Sequence, residues 1–111
     1  MPHCIIEHSP NFYGESLNQG VYTGAFESGL FSADGSDIKV RSLAYDHYQT
    51  GENAQDFVHV TVKILSGRSA EDKQRLSNSV MEQLKQLSIT NASLTVEIVD
   101  MDRASYAKFI A

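Results

Sequence analysis

The sequence predicts an α/β (α+β) fold in which two βαβ units form one four-stranded sheet with both helices on one face. Residues 57–65 alternate between apolar and polar side chains, which is typical of a strand with one buried face. Two other stretches repeat apolar residues every three or four positions, as amphipathic helices do. Each helical stretch lies between two strand-like stretches, and such strand–helix–strand units pack their helices against a shared sheet.

The first βαβ unit is predicted over about residues 2–48. It opens with a short strand rich in β-branched residues. A helix follows over residues 14–31. Its apolar stripe consists of two adjoining rows: Leu17, Val21, Ala25 and Tyr22, Phe26, Leu30. Gly20 and Gly24 lie one turn apart on this helix and indicate close packing against the sheet. A loop then leads to a strand over residues 38–48.

The second βαβ unit is predicted over about residues 56–100, and its first strand is the alternating stretch described above. Ser69 is a favourable N-cap for the second helix, with Asp72 at the capping-box position. The buried stripe of this helix is predicted to contain Leu76, Val80, Met81, Leu84 and Leu87. A last strand is expected over residues 94–99, and a tail over residues 101–111 completes a single domain, residues 1–111.

The second face of the predicted sheet carries both apolar and polar side chains. A monomer would leave the apolar part of this face in water, whereas self-association would bury it. We therefore expect a homo-oligomer.

Length, charge and cysteine content exclude several classes of protein. The chain has 111 residues and a net charge of −5, which argues against binding to nucleic acid or to an anionic membrane. It contains no long hydrophobic run, and its first residues lack the layout of a signal peptide. The single cysteine, Cys4, is compatible with a reducing compartment. We therefore expect a cytoplasmic protein in which Cys4 is a small buried residue.

The histidines and hydroxyl residues form no recognisable metal site or catalytic triad. His3 and His8 are five positions apart on one predicted strand, and they therefore point to opposite faces. His59 lies on the polar face of its strand and is expected to be hydrogen-bonded. No Ser-His-Asp, Cys-His or phosphate-loop pattern is present. The sequence therefore predicts neither a metal nor a nucleotide cofactor.

Pro2 is the first residue with unusual chemical potential. Removal of Met1 would turn the Pro2 nitrogen into a free secondary amine, which is a base. An apolar pocket or neighbouring cations would lower the pKa of this amine, since both disfavour its charged form. A base with a pKa near neutrality suits proton transfer. The alternative is that Pro2 merely begins an edge strand.

Two arginines could bind an anion. Arg68 lies in a turn directly before the second helix, where backbone N–H groups and the helix dipole already favour negative charge. Its guanidinium could bind a carboxylate with two hydrogen bonds. The alternative is a surface ion pair between Arg68 and Glu71 or Asp72. Arg41 lies in the middle of a strand and could equally line an interface between subunits.

The sequence resembles the 5-carboxymethyl-2-hydroxymuconate isomerase family of the tautomerase superfamily over about positions 2 to 100. The resemblance lies in the joint order and spacing of several short motifs. These are Met1-Pro2-His3 followed by Ile5-Ile6-Glu7, then Val40-Arg41-Ser42, Phe57-Val58-His59-Val60 and Gly67-Arg68-Ser69. The chain departs from the family pattern at Leu43, where the family enzyme carries a second arginine.

The resemblance implies a homotrimer and a cofactor-free tautomerase that acts on a small carboxylate in homoprotocatechuate breakdown. It further implies that Pro2 is the catalytic base and that Arg41 and Arg68 bind substrate carboxylates. Two alternatives remain open at this point. The chain could catalyse another tautomerase-superfamily reaction on a different 2-oxo acid, or it could be a catalytically silent trimer that binds a small acid or has a structural role. In a silent trimer we expect no pocket that joins the Pro2 nitrogen to both arginines.

Overall fold

The computed structural model describes all residues, 1–111, and confirms the two βαβ units. Their elements are β1 (His3–His8), α1 (Gly14–Glu27), β2 (Lys39–Ala44), β3 (Asp56–Leu65), α2 (Ala70–Lys85) and β4 (Ala92–Met101). The strand order is β2-β1-β3-β4: the strands within each unit are parallel, and β1 and β3 join the units in antiparallel pairing. Neither helix is long and apolar enough to cross a membrane.

One hydrophobic core lies between the sheet and the two helices. Alternate residues of β1 and β3 are buried, as the sequence pattern predicts. The core combines these strand residues with part of each helix stripe and with residues of the connections: Cys4, Ile6, Leu17, Val21, Ala25, Leu30, Ile38, Val58, Val60, Val62, Ile64, Leu76, Val80 and Leu84. Met81 and Leu87, which were predicted to be buried, are only half-buried, and Leu87 lies beyond the end of α2. Because a single cluster contains side chains from both helices, the helices cover the same face of the sheet.

Helix α1 is shorter than predicted and ends at Glu27. Ser28 caps it, with its hydroxyl donating to the Ala25 carbonyl at 2.6 Å and accepting from the Leu30 N–H at 3.3 Å. Gly29 then adopts a φ of +74°, in the left-handed region that stops a helix. An apolar pattern alone does not contain this stop signal, since Leu30 stays buried after the helix has ended.

Strand β2 is also shorter than predicted, because its partner ends. All six residues of β2 pair with the six residues of β1, up to His8 opposite Ala44. One further hydrogen bond joins the Tyr45 N–H to the His8 carbonyl at 2.9 Å, and there the ladder stops. In contrast, β4 is longer than predicted, since it pairs with β3 over the whole length of that strand.

Gly20 and Gly24 pack against α2 and the turn that follows it, and not against the sheet. A Cβ atom on Gly24 would lie 2.6 Å from the Val80 Cα, whereas one on Gly20 would lie 3.6 Å from the nearest atom of Leu87. Of the two apolar rows predicted for this helix, Leu17, Val21 and Ala25 are buried, but the second row is buried only at Leu30. Tyr22 and Phe26 are 36% and 41% exposed, and their rings stack on each other at 6.2 Å on the outer side of the helix.

Candidate active site

Pro2 is fully buried at the start of β1. Its carbonyl accepts a hydrogen bond of 3.1 Å from the Lys39 N–H, which extends the β1–β2 pairing by one residue. Met1 precedes Pro2 in the chain, so the Pro2 nitrogen is an amide until Met1 is removed. The Met1 amine lies 3.9 Å from the Asp37 carboxylate. The hydrogen bond between Lys39 and Pro2 and the contact between Asp37 and the Met1 amine thus hold the N-terminus against the protein.

Burial and nearby cations lower the pKa of the N-terminal amine. Burial is the largest cause and Asp37 opposes it, while Lys108, Arg68 and Lys39 each lower the pKa further by repelling the charged form. The lysines and the arginine come from the tail, from β2 and from the turn before α2. Three distant parts of the chain therefore place positive charge around the first residues.

Arg41 lies on β2 opposite Ile5, on the sheet face away from the helices. Its Nη1 atom donates a hydrogen bond of 3.3 Å to Nδ1 of His3, and no carboxylate lies within ion-pair distance of its guanidinium. The side chain is exposed. Arg41 therefore contacts His3 and has no carboxylate partner within the chain.

Arg68 follows Gly67, which adopts a φ of +120° in the turn between β3 and α2. The guanidinium donates a hydrogen bond to the Leu30 carbonyl and lies 6.0 Å from the centre of the Phe31 ring. Ser69 caps α2 as predicted, with its hydroxyl accepting from the Asp72 N–H at 3.1 Å.

The alternative of a surface ion pair for Arg68 is not what the structure shows. The Asp72 carboxylate pairs with Arg75 at 3.3 Å, and Glu71 forms no ion pair with Arg68. Like Arg41, Arg68 keeps a cation without a carboxylate partner. No carboxylate of the chain forms an ion pair with either arginine, although the chain has a net charge of −5.

The structure brings the two arginines close to the N-terminus from different sides. Alternation along β1 directs Pro2 towards the helices and His3 towards the open face, where Arg41 lies. Arg68 acts on the N-terminal amine from the end of the sheet where the β3–α2 turn lies. No cavity within one subunit joins Pro2 to both arginines, which is the arrangement expected of the silent trimer. The three cavities lie elsewhere, near Gln83, Tyr48 and Phe12.

Sequence reasoning missed three side chains in this region. Lys39 lies two positions before Arg41 on β2 and therefore on the same open face of the sheet. The period-2 spacing of a strand already indicates this placement. The tail supplies Lys108, which acts on the N-terminal amine, and Tyr106, whose hydroxyl lies 2.9 Å from Nε2 of His3. No periodic pattern in residues 101–111 predicts where these two side chains lie.

Cys4 is buried beneath this region and takes no part in it. Burial raises the pKa of its thiol to about 12, although the charge of Arg41 acts in the opposite direction. The thiol is therefore protonated and packs as a small apolar side chain, as expected from the sequence.

Comparison with known proteins identifies the family. A model of the family described as 5-carboxymethyl-2-hydroxymuconate isomerase matches residues 2–108. The Escherichia coli 5-carboxymethyl-2-hydroxymuconate Delta-isomerase is 32% identical over 91 residues, which cover 77% of this chain and 71% of that protein.

Solved structures share the fold. A 5-carboxymethyl-2-hydroxymuconate isomerase from Deinococcus radiodurans R1 superposes with a TM-score of 0.75 at 22% identity, covering 97% of this chain and 88% of the other. A fused 4-OT wild-type symmetric trimer superposes with a TM-score of 0.73 at 11% identity, covering 94% of this chain and 99% of the other. Both comparisons place the two βαβ units in the tautomerase fold. By sequence and by fold, the chain is an isomerase that belongs to the 5-carboxymethyl-2-hydroxymuconate isomerase family of the tautomerase superfamily.

Proposed function

We propose that this isomerase is a cofactor-free keto–enol tautomerase with Pro2 as its general base. Its substrate would be an unsaturated 2-hydroxy or 2-oxo carboxylic acid such as 5-carboxymethyl-2-hydroxymuconate, in the breakdown of the aromatic acid homoprotocatechuate. Arg41 and Arg68 would bind the substrate carboxylates. Family membership supports the reaction class, since the Escherichia coli relative is named a Delta-isomerase of this compound.

The observation that carries the proposal is the lowered pKa of the N-terminal amine of Met1, which is partly buried beside Pro2. Burial and the charges of Lys108, Arg68 and Lys39 disfavour its protonated form and outweigh the effect of Asp37. Once Met1 is removed, the amine belongs to Pro2, which is fully buried while Met1 is present. We expect burial and the same cations to lower the pKa of the Pro2 amine as well. A neutral amine near pH 7 can accept a proton.

The reaction would consist of two proton transfers. The Pro2 nitrogen takes the proton of the 2-hydroxyl group, whose O–H electron pair forms the C=O bond of the product. The conjugated double bonds shift, and a carbon further along the chain receives a proton from the Pro2 ammonium. Between the two proton transfers, negative charge spreads over the 2-oxygen and the carboxylate of the substrate. The positive charges of Arg41 and Arg68 stabilise it.

The neighbouring subunit of a homotrimer would complete the pocket. Strands β2 and β4 form the edges of the sheet and leave a row of backbone N–H and C=O groups unpaired, a surface that proteins usually cover. Arg41 lies on one of these edges. Pairing between subunits would cover the edges and close the space around Pro2. The trimeric assembly of the fused 4-OT structure supports this arrangement. The free, buried Cys4 fits the reducing cytoplasm, where we place the reaction.

The proposal is tested by relating the state of the N-terminus to turnover. We expect the kcat/KM of fully processed enzyme to rise with pH through the lowered pKa of the Pro2 amine, because only the neutral amine accepts a proton. Pro2→Ala leaves a primary amine in nearly the same place and should weaken turnover without abolishing it. Pro10→Ala changes the other, exposed proline and serves as the matched control.

Intact mass spectrometry of the assayed sample decides the outcome. Molecules that retain Met1 should be inactive, since an amide nitrogen is not basic. Full turnover by a sample in which every molecule keeps Met1 would rule out Pro2 as the base. No turnover by fully processed enzyme across a panel of enolisable carboxylic acids would instead favour the silent trimer.

A further inference from the structure

His3 lies between Arg41 and the C-terminal tail, and its imidazole contacts both. Its Nδ1 atom is 3.3 Å from Nη1 of Arg41, and its Nε2 atom is 2.9 Å from the Tyr106 hydroxyl. The His3 and Tyr106 rings meet edge to face, with centres 6.1 Å apart. The proposed reaction uses neither His3 nor Tyr106.

The chemistry of the guanidinium fixes the protonation of His3. Arginine has only donors, so Nδ1 of His3 must accept with its lone pair. A neutral imidazole then carries its single proton on Nε2, and this N–H donates to the Tyr106 oxygen. A protonated His3 would direct an N–H group at the Arg41 N–H and lose the hydrogen bond. The contact therefore requires the neutral Nε2–H form.

We propose that neutral His3 is a positioning residue that holds the Arg41 guanidinium ready for a substrate carboxylate, and that protonation of His3 releases it. The inference rests on the proposed function, because that function gives Arg41 the carboxylate. Through Tyr106, the same imidazole attaches the C-terminal tail to β1. Substrate binding should therefore weaken in acid for a reason separate from the protonation of Pro2.

The charges around His3 favour its neutral form. Its own strand begins beside the N-terminal amine, β2 contributes Arg41 and Lys39, β3 contributes Lys63 opposite His3, and the tail contributes Tyr106. The pKa of His3 is lowered, first by burial and then by the repulsion of Arg41, Lys39, the amine and Lys63. No carboxylate forms a hydrogen bond with this imidazole. His3 is therefore neutral at pH 7 and gains its proton only in more acidic solution.

The first test reads the imidazole directly and does not depend on turnover. Long-range ¹H–¹⁵N spectra of the ¹⁵N-labelled full chain distinguish the two tautomers of each histidine. We expect His3 in the Nε2–H form at pH 7, with a titration midpoint below the ordinary value of a histidine side chain. An Nδ1–H tautomer, or a midpoint at or above that ordinary value, would overturn the inference.

The second test measures the binding of adipate, a saturated dicarboxylate that the enzyme cannot tautomerise. His3→Ala should weaken binding by about three- to tenfold, the cost of ordering one freed flexible side chain. His3→Asn keeps an acceptor oxygen near the position of Nδ1 and cannot be protonated. It should bind adipate within about twofold of the wild type, without the acid-dependent loss that the wild type shows.

Thermal unfolding of both variants checks that the fold is retained. Unchanged adipate binding in a folded His3→Ala variant would refute the positioning role, and so would a His3→Asn variant as weak as His3→Ala. An absence of adipate binding to the wild-type chain would refute it as well. If adipate binding follows these expectations but processed enzyme turns over no substrate, the proposed reaction fails while the role of His3 stands.

Discussion

The contact between the two helices makes a quantitative prediction at Gly24. A Cβ atom at this position would lie 2.6 Å from the Val80 Cα and 2.9 Å from the Ser79 carbonyl oxygen. Both are backbone atoms of α2 and cannot rotate away. The Ser79 hydroxyl also donates a hydrogen bond of 2.6 Å to the Gly24 carbonyl, which ties the helices together at the same place. Gly24→Ala must therefore move the helices apart.

Two opposing contributions set the size of the effect. Replacing glycine by alanine within a helix stabilises the helix by about 1 kcal/mol. Overpacking costs about 1 to 3 kcal/mol, and a clash with backbone belongs at the upper end. Gly24→Ala should therefore lower the free energy of unfolding by about 2 kcal/mol. At Gly20 the new Cβ would make only an ordinary contact, 3.6 Å from the Leu87 side chain. Gly20→Ala should therefore raise the free energy of unfolding by about 0.5 to 1 kcal/mol.

Urea unfolding of the wild type and both variants, at one protein concentration, measures the difference. A fixed concentration matters because the stability of an oligomer depends on it. Both variants replace a glycine of the same helix by alanine, so the gain in helix propensity cancels when their free energies of unfolding are compared. If Gly24→Ala were as stable as Gly20→Ala, the close helix contact would be wrong.

Two further predictions concern the site and the assembly. Arg68→Ala should lower kcat/KM for a carboxylate substrate by about tenfold or more, as loss of a hydrogen bond to a charged group predicts. Arg75→Ala removes the same charge from the exposed side of α2 and should leave kcat/KM within about twofold, as expected for a surface residue; equal effects of the two variants would make Arg68 an ordinary surface arginine. Sedimentation equilibrium at micromolar concentration should report a trimer, and a stable monomer would contradict both the assembly and a pocket shared between subunits.

The sequence predicts those parts of the fold that depend on periodicity. The alternation of Val58, Val60, Val62 and Ile64 corresponds to a buried face because a strand has a period of two whatever its neighbours are. The ends of elements depend on partners. Strand β2 stops at Ala44 because β1 stops at His8, and no pattern within residues 38–48 contains that information. Helix α1 ends before Gly29 because this residue adopts a left-handed backbone conformation, which many glycines do not adopt.

The candidate site also contains residues that the sequence predicts and residues that only the structure brings together. Pro2, Arg41 and Arg68 stand out because their chemistry is unusual in a short strand or before a helix. Lys108 and Tyr106 do not stand out, since they belong to an aperiodic tail and reach the site only through the path of the chain after β4. The hydrogen bond between His3 and Arg41 joins two strands that are neighbours only because the connection through α1 is a parallel crossover. Residues brought together in this way require a structure.

The distribution of charge explains how an acidic protein could act on an acid. Five of its nine lysine and arginine side chains, Lys39, Arg41, Lys63, Arg68 and Lys108, act on the N-terminal amine or on His3. The same charges would attract a substrate carboxylate and favour the unprotonated form of the amine. The Asp37 carboxylate, 3.9 Å from the Met1 amine, opposes both, since it would repel the substrate and it raises the pKa of the amine. The absence of acidic partners for Arg41 and Arg68 is therefore as relevant to the proposed function as the arginines themselves.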